Sequence, residues 1–499
     1  MTNSIATTGS GEVRGREKNG VLLFAGIPYA APPVGERRFR PPEEPDAWAG
    51  VRDATRFGPA APQLPGDGLV GNPNVRWDEA GCLTLNVCTP ACDDARRPVL
   101  VWIHGGGFRN GQGAIPWYDG SSFARAGIVV VSINYRLGAL GFAHLAELGG
   151  SDYATSGSAG IQDQLAALRW VRRNIAAFGG DPQRVTIAGE SAGGMSVGIL
   201  LGVAGASGLF RGAIPQSGAA QHVNDARAGG EVARRFAQAL GADSIAEMLA
   251  APVERVLAAQ AEVEKLSREG ELPDAAGIRG MPFMPVVDGA AIREQPIGSI
   301  RDGAARGVNV LVGTNADEMT LFGVAEVDDA RLERHAARYF PDAARAVAAY
   351  RAEYAGATAR ELALAIATDH VFRIPAVRLA EAHAGSGGRT WKYLFSWKSR
   401  AFGGRLGATH ALEIPFAFNT LDRPGVDAML GPGERPDALA QRMHAAWTAF
   451  VQRGDPACEQ TGPWNCYGPE TREVMEFGAR VGPLRDPGAR TRALWEGLR

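Results

Sequence analysis

Short runs rich in Val and Ile alternate along this chain with stretches of helical periodicity, and that alternation restricts the fold more than any other feature. The runs cover residues 99–104, 128–135, 184–189, 213–216 and 308–313. A strand that is apolar at nearly every position, and not at every second one, is buried on both faces, as in a parallel sheet lying under helices. Between the runs, Ile161, Leu165, Leu168, Val171, Ile175 and Phe178 recur at three- and four-residue steps and give one apolar helix face, which Gly179 and Gly180 end. Strand and helix in alternation predict an α/β fold with a mostly parallel central sheet flanked by helices. Two stretches, 219–280 and 328–384, break the rhythm and read as mainly helical. In such a fold they are excursions that roof a site above the sheet. The 499 residues, 45% of them hydrophobic, suffice for one large domain, 1–499, with those insertions.

Charge excludes some classes of partner. Lys plus Arg total 52 against 54 for Asp plus Glu, a net of -2, so the chain carries no global electrostatic footprint for nucleic acid or an anionic membrane. No segment has the ~18 consecutive apolar residues of a membrane span. The first twelve residues lack the basic start and apolar run of a secretory signal, and a cytoplasmic location is expected. The cysteines, Cys82, Cys88, Cys92, Cys458 and Cys466, are odd in number and have no paired metal-ligand spacing. They read as reduced thiols, with no metal site.

The chemistry concentrates at G-E-S-A-G-G, residues 189–194, between the run 184–189 and a helical segment 195–201. A serine on a tight strand-turn-helix projects its hydroxyl clear of its own backbone, and small flanking residues let strand and helix approach. The helix start adds free N–H groups where an oxyanion would form. With 65 glycines in the chain the five-residue pattern is weak alone, and Ser191 could be a small residue at a helix start. A second element strengthens it. Residues 102–108 read W-I-H-G-G-G-F, directly after a strand. Three successive glycines cost backbone entropy, and a bare backbone aiming N–H groups at a developing negative oxygen is a functional reason to bear it. A tight turn is the plainer alternative, and His104 reads as holding that loop.

A nucleophilic serine needs a base and an orienting carboxylate. Of the eight histidines, His144, His222, His335, His370, His383 and His444 lie in helical, charged or alanine-rich contexts. His410 differs, standing in a loop of small residues, L-G-A-T-H-A-L-E-I-P-F, after a strand at 393–397. The acid candidates are Asp317 and Glu318, adjacent in T-N-A-D-E-M-T, and spacing does not choose between them. The order Ser, acid, His is that of the α/β-hydrolase fold.

Here the chain resembles the type B carboxylesterases, the family of bacterial p-nitrobenzyl esterases, animal carboxylesterases and cholinesterases. The likeness runs from F-A-G-I-P-Y-A-A-P-P-V-G-E-R-R-F through V-L-V-W-I-H-G-G-G-F, S-I-N-Y-R-L-G-A-L-G-F and G-E-S-A-G-G to D-E-M-T-L-F, H-A-L-E-I-P-F and W-T-A-F-V-Q-R-G-D-P. The resemblance implies Ser191 as nucleophile, His410 as base and Glu318 as acid, with an oxyanion hole from the N–H groups of Gly106, Gly107 and Ala192. It implies a structural ion pair between Arg136 and Asp163, an electrostatic role for Glu190 and a structural one for Glu413. It implies acyl transfer through an acyl-enzyme, with no metal or organic cofactor. The partner is a small-molecule ester, short-chain or aromatic, and the chain is expected to act as a monomer. Aryl carbamates or bulky aromatic esters are the alternative substrates. Glu190, Phe108 and Phe322 are candidate substrate contacts, with Trp117 and Phe372 as further pocket walls. A non-catalytic adhesion domain competes as a class, but such domains lose the serine or its partners. The three glycines lack the Lys and spacing of a phosphate loop.

Three departures stand out. D-E-A-G-C-L-T-L-N-V is longer before the cysteine than the family's pattern, and Ala61, Pro62 and Gln63 replace the upstream cysteine segment, so Cys82 has no evident partner. The extra length also displaces the acid that the family sets against Arg38, which leaves open whether that ion pair forms. Ser158 stands where many members have Asn.

Overall fold

The computed structural model describes residues 4–66, 75–273, 277–323 and 326–498. Its centre is an 11-stranded sheet. In chain order the strands are β1 Arg16–Lys18, β2 Val21–Pro28, β3 Thr84–Thr89, β4 Arg97–Ile103, β5 Val129–Ile133, β6 Gly180–Glu190, β7 Gly212–Gln216, β8 Asn309–Asn315, β9 Thr390–Phe395, β10 Glu473–Phe477 and β11 Val481–Arg485. Across the sheet they run β11-β10-β9-β8-β7-β6-β4-β5-β3-β2-β1. Strands β5 through β10 pair in parallel, and β1 to β3 at one end and β11 at the other pair antiparallel.

Each of the five apolar runs is a strand of the parallel part. Along β4, Val99, Val101 and Ile103 enter one core cluster and Leu100 and Trp102 the other. Both faces are therefore dry, which is why the runs show no polar alternation. Each such side chain contributes about 1.5–3 kcal/mol through burial. The run expected over 128–135 ends as a strand at Ile133, because Asn134 and Arg136 turn to other partners. The Asn134 side chain accepts from Gly113 N–H at 2.8 Å, and the Arg136 side chain donates to Asp163 at 2.6 Å. β6 runs longer than the apolar run, starting at Gly180, which pairs with Arg97 before a register shift.

The helical periodicity from Ile161 becomes α1, Ala159–Asn174, finished by a 3-10 turn to Phe178 and a left-handed Gly179. α2, Ala192–Gly202, is apolar all round and buried, as a helix at the centre of such a layer must be. Residues 219–280 carry helices Ala226–Leu240, Ile245–Ala250 and Val253–Glu269. Residues 328–384 carry Asp329–Ala336, Ala343–Glu353, Ala359–Thr368 and α3, Ile374–Gly385. A π turn at Asp369–Arg373 leads into α3. Its cause is local. Pro375 has no N–H to give the Val371 carbonyl, and that oxygen lies 2.9 Å from His222 Nε2 instead.

Arg136 and Asp163 form the expected buried pair, with Arg136 Nη2 2.6 Å from Asp163 Oδ1. The Arg38 ion pair, left open by the sequence, is present. Its guanidinium meets Glu79 in a two-pronged contact, both N···O distances 2.7 Å. The residues before Cys82 turn back on themselves, Ala80 N–H donating to Asp78, and Glu79 in that turn reaches Arg38. All five cysteines are free. Among the described residues no helix is long and apolar enough to cross a membrane.

Candidate active site

Ser191 stands alone between the end of β6 and the start of α2, at φ 56 and ψ -125. A non-glycine residue there is strained by about 1–3 kcal/mol and persists only where its surroundings hold it. Its N–H donates to the Gln216 carbonyl at 3.0 Å, and its carbonyl accepts from Met195 N–H at 2.7 Å. The turn closes only because position 193 lacks a Cβ, which would run into the Ile103 carbonyl of neighbouring β4.

The candidate acid and base follow β8 and β9 in the chain. Glu318 follows β8 and is fully buried. Its Oε1 accepts from Ser217 Oγ at 2.6 Å and from Asn315 N–H at 2.7 Å, and its Oε2 lies 2.7 Å from His410 Nδ1. Asp317 turns the other way, accepting from Ala408 N–H at 2.8 Å and so pinning the loop that carries the histidine. Geometry thus separates the two adjacent acids that spacing could not. Glu318→Gln is expected to lower ester turnover by at least ~10²-fold, because an amide cannot hold the imidazole in its working orientation. Asp317→Asn is expected to cost far less, and steady-state rates ranked the other way would reassign the acid.

Two more buried carboxyls crowd the imidazole. Glu190 Oε1 lies 3.1 Å from His410 Nε2, within ion-pair range though not aligned as a hydrogen bond. Glu413 accepts from Gln216 Nε2 at 3.1 Å and Asn315 Nδ2 at 2.6 Å. Burial pushes Glu190 up to about 8 and Glu413 to about 7, the neighbouring carboxylates adding to both. For His410 burial acts downward, but the charges of Glu190 and Glu318 outweigh it and raise the imidazole to about 9.

The glycine loop lies against the serine. Gly105 packs so closely on Ser191 and Glu190 that no side chain fits there. Gly106 and Gly107 take φ 110 and 62, and a Cβ on Gly106 would meet the Asn110 carbonyl. Neither of their N–H groups donates to another group among the described residues, and Ala192, the first residue of α2, has no intrahelical acceptor for its own. His104 stacks on Tyr135 at 4.5 Å, with Nδ1 2.8 Å from the Gly105 carbonyl. Three bare N–H groups beside a strained serine, with a carboxyl-bound imidazole at hand, make a site for acyl transfer.

Residues 2–490 match the family model described as the carboxylesterase family. The chain belongs to that family. It is 38% identical to the para-nitrobenzyl esterase of Bacillus subtilis, over 99% of this chain and 98% of that one. It is 37% identical to the phenmedipham hydrolase of Pseudarthrobacter oxydans, over 96% of each. The crystal structure of a Geobacillus stearothermophilus carboxylesterase superposes with a TM-score of 0.88 at 39% identity, covering 99% of this chain and all of the other. The α/β-hydrolase fold and carboxylic ester hydrolysis come with that membership.

In this carboxylesterase the aromatic candidates divide. Phe322 is 54% exposed and its ring lies 5.3 Å from His410. Phe372, placed by the π turn, lies 4.7 Å from the same imidazole. Phe108 is fully buried and packs on Phe142 at 5.1 Å, and Trp117 is buried in the other core cluster, so both lie in the core. Sequence reasoning missed three supports. Ser217 and Asn315 hold Glu318. Gln63 clamps the glycine loop, its amide donating to the Gly111 carbonyl and accepting from Gly111 N–H, each at 2.9 Å. The signal for Ser217 and Asn315 was there, since both stand at carboxyl ends of parallel strands, where sites of this fold gather.

Proposed function

We propose that Ser191, His410 and Glu318 are the catalytic triad of a carboxylesterase acting on short-chain or aromatic esters of small molecules. The observation that carries the reading is the contact of His410 with buried Glu318 beside a serine held at positive φ. In this mechanism His410 takes the Ser191 proton as the hydroxyl attacks the ester carbonyl. The oxygen that becomes negative lies among the N–H groups of Gly106, Gly107 and Ala192, each worth about 3 kcal/mol in the transition state. The alcohol leaves with the proton from His410, and water activated by the same imidazole frees the acid. Phe322 and Phe372 give the substrate apolar walls, under a roof from the helices of 219–280 and 328–384. Aryl carbamate hydrolysis by the same triad is the second reading, favoured by the likeness to a phenmedipham hydrolase. Five free cysteines support a reducing, cytoplasmic setting, and a site built from one chain supports a monomer. Purified protein assayed on p-nitrophenyl esters from acetate to palmitate, an aryl carbamate and an anilide tests the substrate range. Activity peaking at long acyl chains would overturn it.

Glu190 sets the pH response. A base accepts a proton only when neutral, and the charge of Glu190 keeps His410 protonated to higher pH. Glu190→Gln is therefore expected to move the acid limb of kcat/KM to lower pH, by roughly one unit. A limb that stays in place or moves up would exclude this coupling.

A further inference from the structure

A cleft of about 280 Å³ opens between β9, α3 and the C-terminal residues 486–492, and none of Ser191, Glu318 or His410 lines it. Its walls carry Arg373, Arg472 and Arg492, each already neutralised. Arg373 pairs with Asp369 at 2.6 Å, Arg492 with Asp486 at 2.9 Å and Arg472 with Glu381 at 3.0 Å. Lys392, on β9, is different. It lines the cleft, is only 4% exposed, and its ammonium has no hydrogen-bond or ion-pair partner among the described residues. Tyr467, also 4% exposed and also in the wall, has a hydroxyl with no hydrogen bond among those residues. Glu353 and Lys398 stand exposed at the rim.

An ammonium taken out of water with no carboxylate in direct contact is among the costlier features a fold can retain, and Asp486, Asp369 and Glu381 offset that cost only from a distance. A phenol in the wall of the same cleft adds a second unused donor. The wall arginines are held by Asp369, Asp486 and Glu381, the first two also in the wall, and leave no donor as open as these two.

We propose that this cleft binds one small oxyanion, a carboxylate or phosphate group, through Lys392 Nζ and Tyr467 Oη. The anion supplies the direct contact that Asp486, Asp369 and Glu381, which act on the lysine from beyond ion-pair distance, do not. In its absence burial, and then the charge of Arg373, depress the lysine to about 8 against the opposing pull of Asp486, Asp369 and Glu381. The site is distinct from the ester site, and its occupancy needs no turnover.

Calorimetric titration of the full chain with inorganic phosphate and, separately, acetate tests the proposal independently of the esterase reading. One equivalent is expected to bind, and the tighter of the two names the source as phosphate or carboxylate. Lys392→Met, which keeps the chain length and removes the charge, is expected to weaken binding about 10-fold or more, and Tyr467→Phe about 3-fold. Binding of neither anion, or Lys392→Met binding as tightly as wild type, overturns the proposal. Should Lys392→Met not fold, acetic anhydride labelling of the wild-type protein, read by mass spectrometry, replaces it. The bound anion is expected to slow acetylation of Lys392 severalfold, and unchanged labelling rejects the site.

Discussion

Ser191→Ala is expected to reduce kcat on p-nitrophenyl acetate by ~10⁴-fold or more while leaving the fold unchanged. The serine donates from its backbone N–H to Gln216 and accepts through its carbonyl from Met195, contacts that alanine repeats. Its side chain is the only part lost, and with it the covalent step. Because triad members act as a unit, the remaining oxyanion donors and binding contacts leave only residual catalysis. The check is a rate measurement on purified variant beside a thermal melt and labelling by a serine-reactive organophosphate. A folded variant that keeps a tenth of the wild-type rate would remove Ser191 from the mechanism.

Asp163→Ala is expected to be the most damaging single change to stability, by about 3–5 kcal/mol. Asp163 is fully buried and accepts from Arg136 three times, from the backbone N–H at 3.0 Å, Nε at 2.8 Å and Nη2 at 2.6 Å. Removing it strands a guanidinium in a dry interior, and that orphaned charge accounts for most of the cost. The double variant Arg136→Met with Asp163→Leu is accordingly expected to regain much of the loss, since it leaves no charge to strand. Urea denaturation of the three proteins measures both effects. A single variant as stable as wild type would show the pair to be dispensable.

What could be read from the chain beforehand follows a physical division. The parallel strands were legible because burial on both faces makes them continuously apolar, and the helix from Ile161 because its face repeats. The serine turn and glycine loop were legible because each needs small residues at fixed offsets. Choosing Glu318 over Asp317 took either the family resemblance or the side-chain directions after β8, which spacing does not encode. The Arg38 pair was left open because sequence distance does not say where Glu79 ends in space. Phe108 looked like a pocket wall from its place beside the glycines, yet its φ of 58 accompanies a ring set into the core. Gln63 acts across a long sequence separation, and a single sequence carries no mark of such a pairing.

The two outermost strands of the sheet also decide how the protein behaves in company. An open sheet ends in unsatisfied N–H and C=O groups that invite a strand from another molecule. Here β1 is only Arg-Glu-Lys, short and charged, and β11 carries Pro483, which has no N–H to offer a newcomer. Each end resists edge-to-edge stacking by a different means. A chain with so wide a sheet is thereby protected from fibrous association, and concentrated solutions are expected to stay clear without help from a partner protein.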